Sequence, residues 1–278
     1  MAIIGLGCIG GSLARALGGR GSEVRGWTIA PGDRAAAVTA GLTVSPEPDL
    51  AAAIRGAATV VLCTPLPAVA ESARTAMRAL DDDALILHTC GLQGAAALGI
   101  DAPSAGRVLG THPLAGSAES GFSASRGDLF SGCTVCVEER ATEEQRAAVE
   151  ELWRRAGATR FAYRDAASHD HLMAWVSHLP QLTSTALAAA LAESGIHLED
   201  GGPGLGDVTR LAASDVEQWL PLLSRNGREV EAALGRLERE LAQLRDALAR
   251  SDTTAIRNTW RSARGWRREG DGKGEARR

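Results

Sequence analysis

The chain opens Ile3-Ile4-Gly5-Leu6-Gly7-Cys8-Ile9-Gly10-Gly11-Ser12-Leu13, a GxGxxG with a β-branched run directly before it and a helix-forming run directly after it. That combination leaves few folds open. Gly5 permits the tight turn out of a strand, Gly7 lets backbone approach a pyrophosphate, and Gly10 lets the helix pack closely on the strand. The helix N-terminus then turns its unpaired N–H groups toward the phosphates. Gly5, Gly7, Cys8, Ile9 and Gly10 are therefore the candidate dinucleotide contacts, and the cofactor implied is NAD or NADP.

The chain beyond the loop agrees with a dinucleotide-binding sheet. Short β-branched runs at 2–4, 23–27, 59–63, 84–88, 106–111 and 133–137 alternate with Ala-rich, helix-forming stretches at 10–17, 33–41, 67–80 and 142–156. A βαβα order of this kind predicts an α/β fold, a Rossmann-type mostly parallel sheet with helices on both faces. Beyond residue 165 the strand signal vanishes, so the expected organisation is a nucleotide-binding domain over 1–165, an all-α domain over 166–265, and a Gly/Arg/Glu-rich flexible tail over 266–278. In the helical part Val230, Leu234, Leu237, Leu241, Leu244 and Leu248 alternate spacings of four and three. This heptad seam needs a partner, either within the chain or in a second copy of it.

Composition removes several classes of function. A formal net charge of −4 gives no electrostatic footprint for nucleic acid. The apolar runs at 59–62 and 84–87 fall far short of the ~20 residues that span a bilayer. Met1 leads at once into a strand-like run rather than a charged leader, which makes the cytoplasm the expected compartment. Five cysteines, an odd number, suit free thiols in a reducing setting. Cys133 and Cys136 form a CxxC, but they lie in a strand-like run where residues three apart point to opposite faces, so core packing is expected and no metal site.

Two strand ends refine the cofactor site. The residue that reads the adenosine ribose falls at Thr28, where an NAD-selective site carries an acid. A small hydroxyl leaves room for a 2′-phosphate, with Arg34 nearby, and tilts the choice toward NADP, although a loop shifted by a few residues would restore an acid through Asp33. Further on, Pro65 stops the strand 59–63 and turns the loop over the ligand crevice, so Cys63, Thr64 and Pro65 are expected on the nicotinamide side.

Four motifs in order carry a resemblance to a known family. Gly110-Thr111-His112-Pro113-Leu114-Ala115-Gly116-Ser117 resembles the HPxAG segment of prephenate and arogenate dehydrogenases. Ser168-His169-Asp170 leading to Ser177-His178-Leu179-Pro180-Gln181 is similar to their HD…SHLP helix. Thr209-Arg210-Leu211-Ala212-Ala213-Ser214-Asp215 with Trp219 resembles their TRxAxSD…W segment, and the glycine loop fits as well. The resemblance covers roughly residues 2–250. It implies NAD(P)-dependent oxidative decarboxylation of prephenate to 4-hydroxyphenylpyruvate in tyrosine biosynthesis, or of arogenate to tyrosine, by a homodimer joined through its helices. Competing readings are a related oxidoreductase on another cyclohexadienyl acid and a nucleotide-binding protein without chemistry.

Under that reading His112, delivered by a strand end to the crevice, is the catalytic base, since a neutral imidazole can accept the substrate hydroxyl's proton. Arg210 offers a planar fork to a substrate carboxylate. His178 and Gln181 are further substrate contacts, and His169 with Asp170 reads as a helix cap. Gln181 stands where many members carry a second histidine, Ala118 where many prephenate enzymes carry an acid, and Leu92 where many carry a serine. A hydroxyl contact must then come from Thr89 or Ser117. His88 with Cys90 also invites comparison with a Cys/His nucleophilic pair, but no third group is there to orient it.

Overall fold

The structure, a computed structural model, describes residues 1–18, 23–101, 106–117 and 119–275, with side chains to residue 269. Among these residues seven strands form one sheet in the order β2-β1-β3-β4-β5-β6-β7. They are β1 (Ala2–Ile4), β2 (Arg25–Trp27), β3 (Thr59–Leu62), β4 (Leu85–His88), β5 (Val108–Pro113), β6 (Thr134–Glu138) and β7 (Arg160–Arg164). Every neighbouring pair is parallel except β5 with β6. The central strands are apolar on both faces because helices cover both. Ile3, Val61, Leu87 and Leu109 pack to one side with Leu13 and Leu17 of α1 (Cys8–Gly18) and Trp153, while Ile4, Val60, Leu62 and Ile86 pack to the other with Val69 and Ala73. Alternate residues of a strand feed opposite layers, as the pleat requires.

The remaining helices of this part are α2 (Pro31–Thr39), α3 (Leu50–Ile54), α4 (Leu66–Ala79), α5 (Ala95–Leu98) and α6 (Glu143–Ala156). After β7 the described chain is helical: α7 (Ala166–Met173), a π-helical turn (Ala174–His178), α8 (Leu179–Glu193), α9 (Pro203–Thr209), α10 (Val216–Arg225), α11 (Gly227–Ala249) and α12 (Thr253–Glu275). The chain before Pro180 is a wide π turn that runs into α8, with Pro180 in its first turn.

The chain divides into two compact units, Met1–Glu229 and Val230–Arg278. In the second, Leu241 and Leu248 of the heptad seam are exposed, whereas Val230, Ala233 and Ala247 are buried. Residues 266–275, expected as a flexible tail, continue α12, because Arg and Glu are good helix formers and each added residue closes one more helical hydrogen bond. No helix among the described residues is long and apolar enough to cross a membrane.

Register places the loops that matter on one edge. Trp27, Ile4, Leu62, His88 and Gly110 form a single row across β2-β1-β3-β4-β5. One residue further along the chain are Thr28, Gly5, Cys63, Thr89 and Thr111, and one further again are Leu6, Thr64 and Cys90, just past β1, β3 and β4, and His112, still within β5. The carboxyl ends of parallel strands are where open α/β sheets bind ligands.

Candidate active site

The glycine loop is built as the spacing predicts. Gly5 has φ +87°, and a Cβ there would lie 2.6 Å from the Cys63 carbonyl oxygen. A Cβ on Gly10 would fall 1.8 Å from the Gly5 carbonyl oxygen. Around Gly7, by contrast, nothing lies within 4 Å of such a carbon, so bare backbone faces open space at the start of α1, beside Cys8 and Ile9. That cradle fits a dinucleotide pyrophosphate. Thr64 Oγ1, buried on the neighbouring loop, has no hydrogen-bond partner among the described residues, and Pro65 ends the loop by preceding α4 directly.

Thr28 is buried at the end of β2, its Oγ1 accepting the Ala30 N–H at 3.3 Å. The rival acid is committed elsewhere: Asp33 accepts the Phe122 N–H at 2.8 Å. Arg34 reaches the Glu47 carbonyl at 3.4 Å from a half-buried position.

His112, partly buried at the end of β5, meets His169 through Nδ1 at 3.1 Å, the two rings edge-on with centroids 5.3 Å apart. Its Nε2 has no hydrogen-bonding partner among the described residues and borders Gly91, where a Cβ would lie 3.9 Å from Nε2 and 3.4 Å from Leu222. Burial, and after it the neighbouring His169, His88 and His178, lowers the His112 pKa to about 3. At neutral pH the ring is a neutral acceptor. Leu92, standing where many members of the resembled family carry a serine, is fully buried in the apolar layer, and Gly91 is the residue that borders His112. The missing hydroxyl thus leaves space rather than a bulky side chain beside Nε2.

The other predicted contacts divide. His178 is buried, and its Nδ1 lies 3.3 Å from the Asn226 amide nitrogen, which donates to it and so leaves the proton on Nε2. Burial lowers its pKa to about 4, and Trp219 stands edge-on to the ring. Gln181 is buried and spends its amide nitrogen on the Leu211 carbonyl at 2.8 Å. Ser184, one turn later, accepts the N–H of Ala212, so both ends of the Leu211–Ala212 peptide are held. Arg210 begins that turn, exposed and without an ion pair among the described residues. Ser117 is exposed, its hydroxyl accepting the Glu119 N–H at 3.1 Å, and Ala118 lies outside the described residues.

The nucleophilic pairing of His88 with Cys90 is not formed. His88 Nδ1 accepts the backbone N–H of Cys90 at 3.3 Å, and burial pushes the Cys90 thiol up to about 12. Burial likewise lowers His88 to about 4 and raises Cys63 to about 12, and all five cysteines are free.

His169 and Asp170, expected as a helix cap, do not cap α7. The cap of α7 is Asp165, which accepts the Ser168 N–H at 2.9 Å, so His169 and Asp170 are spare for the interior. Both are buried, His169 fully. A polar pair past the capping position was the available signal.

Comparison with known proteins agrees with this geometry. Residues 13–161 match the family model described as prephenate dehydrogenase, nucleotide-binding domain, and residues 165–262 match prephenate dehydrogenase, dimerization domain. The cyclohexadienyl dehydrogenase of Zymomonas mobilis is 30% identical over 91% of this chain and 89% of its own length. The prephenate dehydrogenase of Bacillus subtilis is 26% identical over 95% and 74%. Among solved structures, prephenate dehydrogenase from A. aeolicus in complex with hydroxyphenyl propionate and NAD+ superposes with a TM-score of 0.84 at 25% identity, covering 96% of each chain.

Proposed function

The chain belongs to the prephenate dehydrogenase family, and we propose that it oxidatively decarboxylates prephenate to 4-hydroxyphenylpyruvate, with His112 as the base. The observation that carries this reading is the common edge on which register sets His112 and the dinucleotide loop, with Nε2 of His112 left open. A bound nicotinamide dinucleotide supplies the acceptor for the hydrogen and electron pair leaving the carbinol carbon. Gly5, Gly7, Cys8, Ile9 and Gly10 would hold its pyrophosphate, Thr28 would face its adenosine ribose, and Cys63, Thr64 and Pro65 would border its nicotinamide. His112 Nε2 takes the hydroxyl proton, and the carbon–carbon bond to the ring carboxylate then breaks, its electron pair completing the aromatic ring as CO2 leaves. The phenolic oxygen takes a proton back, so the whole conversion releases none. Aromatisation drives the reaction, and the protein's work is placement and proton handling. Arg210 binds a substrate carboxylate, His178 donates from Nε2, and Ser117 lies at the rim.

One observation favours arogenate as the second reading. Gln181 is spent on Leu211 and His178 is held neutral, so neither supplies a cation for a pyruvyl carboxylate. A neutral wall suits a zwitterionic amino acid head group. Thr28, with Asp33 committed to Phe122, supports NADP over NAD. A second copy of the chain is the proposed partner of the helical part, where Leu241, Leu248, Trp260 and Trp266 are exposed, and the free thiols suit a cytoplasmic setting.

Purified protein mixed with prephenate or arogenate and with NAD+ or NADP+, followed by the absorbance of reduced nicotinamide, separates the four combinations. Turnover of either acid supports the reaction class. No reduction in any combination would remove both readings.

A further inference from the structure

Asp170 is an acceptor with no freedom left. Its Oδ1 receives the Gln93 N–H at 2.8 Å and its Oδ2 the Gly94 N–H at 2.9 Å, while its own carbonyl receives the Asn226 amide at 2.8 Å. The fourth contact is His169 Nδ1, 2.8 Å from Oδ1. A carboxylate that accepts backbone N–H groups on both oxygens cannot donate, so the proton of that contact belongs to Nδ1 of His169. With its one proton committed, His169 accepts at Nε2, and the proton of the 3.1 Å contact belongs to Nδ1 of His112. The lone pair of His112 is thereby fixed on Nε2, the nitrogen beside Gly91. One carboxylate sets the tautomer of two rings in series.

We propose that His169 is a positioning residue for His112 and the temporary store of the proton lent by the substrate hydroxyl. This rests on His112 being the base. As the hydroxyl proton reaches His112 Nε2, the proton on His112 Nδ1 passes to His169 Nε2. His112 is again neutral with its proton on Nε2, and His169 is an imidazolium against the Asp170 carboxylate. When the ring aromatises, the phenolic oxygen takes the proton from His112 Nε2 and His169 returns its own to Nδ1. Every proton is accounted for, and none needs a path to bulk water.

Location explains why the charge moves inward. Facing this chain are His88 from β4, His178 from the π turn and Arg140 after β6, none of which stabilises a cation on His112; burial and the histidine neighbours oppose one there. His169, fully buried, has a carboxylate at 2.8 Å. A buried charge is tolerated where it is paired and hydrogen-bonded.

His169→Gln tests the store apart from the scaffold, since an amide oxygen can still accept from His112 Nδ1 but holds no extra proton. With NADP+ or NAD+ and whichever cyclohexadienyl acid the wild type turns over, the single-turnover rate of nicotinamide reduction should fall on the order of 100-fold or more, with KM and cofactor affinity unchanged. A wild-type rate in His169→Gln overturns the store. The second readout needs no turnover: imidazole nitrogen-15 shifts of the free wild-type protein should show His112 protonated on Nδ1 and bare on Nε2, and the opposite tautomer overturns the positioning role. His112→Gln is the control for the parent reading. If that variant alone loses turnover, the base stands and the store falls. If neither variant loses it, the base falls as well.

Discussion

The glycine loop and the histidine chain lie on the same edge of the sheet and are built on opposite plans. In the loop the groups on offer are backbone, and side chains matter by being absent: Gly5 and Gly10 have no room for a Cβ, and Gly7 faces open space. In the histidine chain the backbone only delivers, and three side chains from β5 and α7, 57 residues apart, meet within 3.1 Å. A local motif suffices to hold a common cofactor. Chemistry on one particular hydroxyl takes groups that only the tertiary fold assembles, which is why the two regions should fail in different ways.

The largest expected effect is Gly10→Ala. Its Cβ would have to share space with the Gly5 carbonyl, so strand and helix must part, at a cost on the order of 3 kcal/mol of stability, read by urea unfolding. Gly7→Ala sharpens the comparison, because the open space predicts unchanged stability and a loss of NAD(P)+ affinity of about tenfold or more. Equal destabilisation by both would erase the distinction between packing glycines and a ligand-facing one. Arg210→Ala should raise KM for the acid substrate about tenfold or more at nearly constant kcat, since a charge-assisted pair contributes ~1.5–3 kcal/mol. A fall confined to kcat would move Arg210 out of the binding role.

The last effect is on pH. His88, His112 and His178 have folded pKa values of about 4, 3 and 4, all below the unfolded value of 6.5. Between those limits the unfolded chain binds more protons than the folded one, so stability is complete above the unfolded value and declines as pH falls toward the folded ones. Urea midpoints across that window should drop on acidification, and His88→Asn should make the slope shallower. A flat profile would mean that the buried histidines do not stay neutral.

Legibility followed the same division. The loop and β1 to β6 were readable because each is a contiguous run whose periodicity reflects its own burial. β7, Arg160-Phe161-Ala162-Tyr163-Arg164, escaped because it is a half-exposed strand at the sheet edge with charged ends and no apolar run. α3 and α5, at five and four residues, are too short for a helical period to show. At the site, His112 was readable from its strand end before Pro113. His169 was not, since its neighbour Asp170 resembles a cap until Asp165 is seen to fill that place. Register likewise hid the roles of Gly91 and Leu92, because one step along the chain decides which of them faces the core.

Holding the cofactor and moving the proton are, on this account, separate tasks of separate regions. The most direct test is His112→Gln, measured for NAD(P)+ affinity and for single-turnover nicotinamide reduction in the same preparation. Unchanged affinity with turnover reduced on the order of 1000-fold is the predicted result. Retained turnover, or affinity lost in step with turnover, would contradict it.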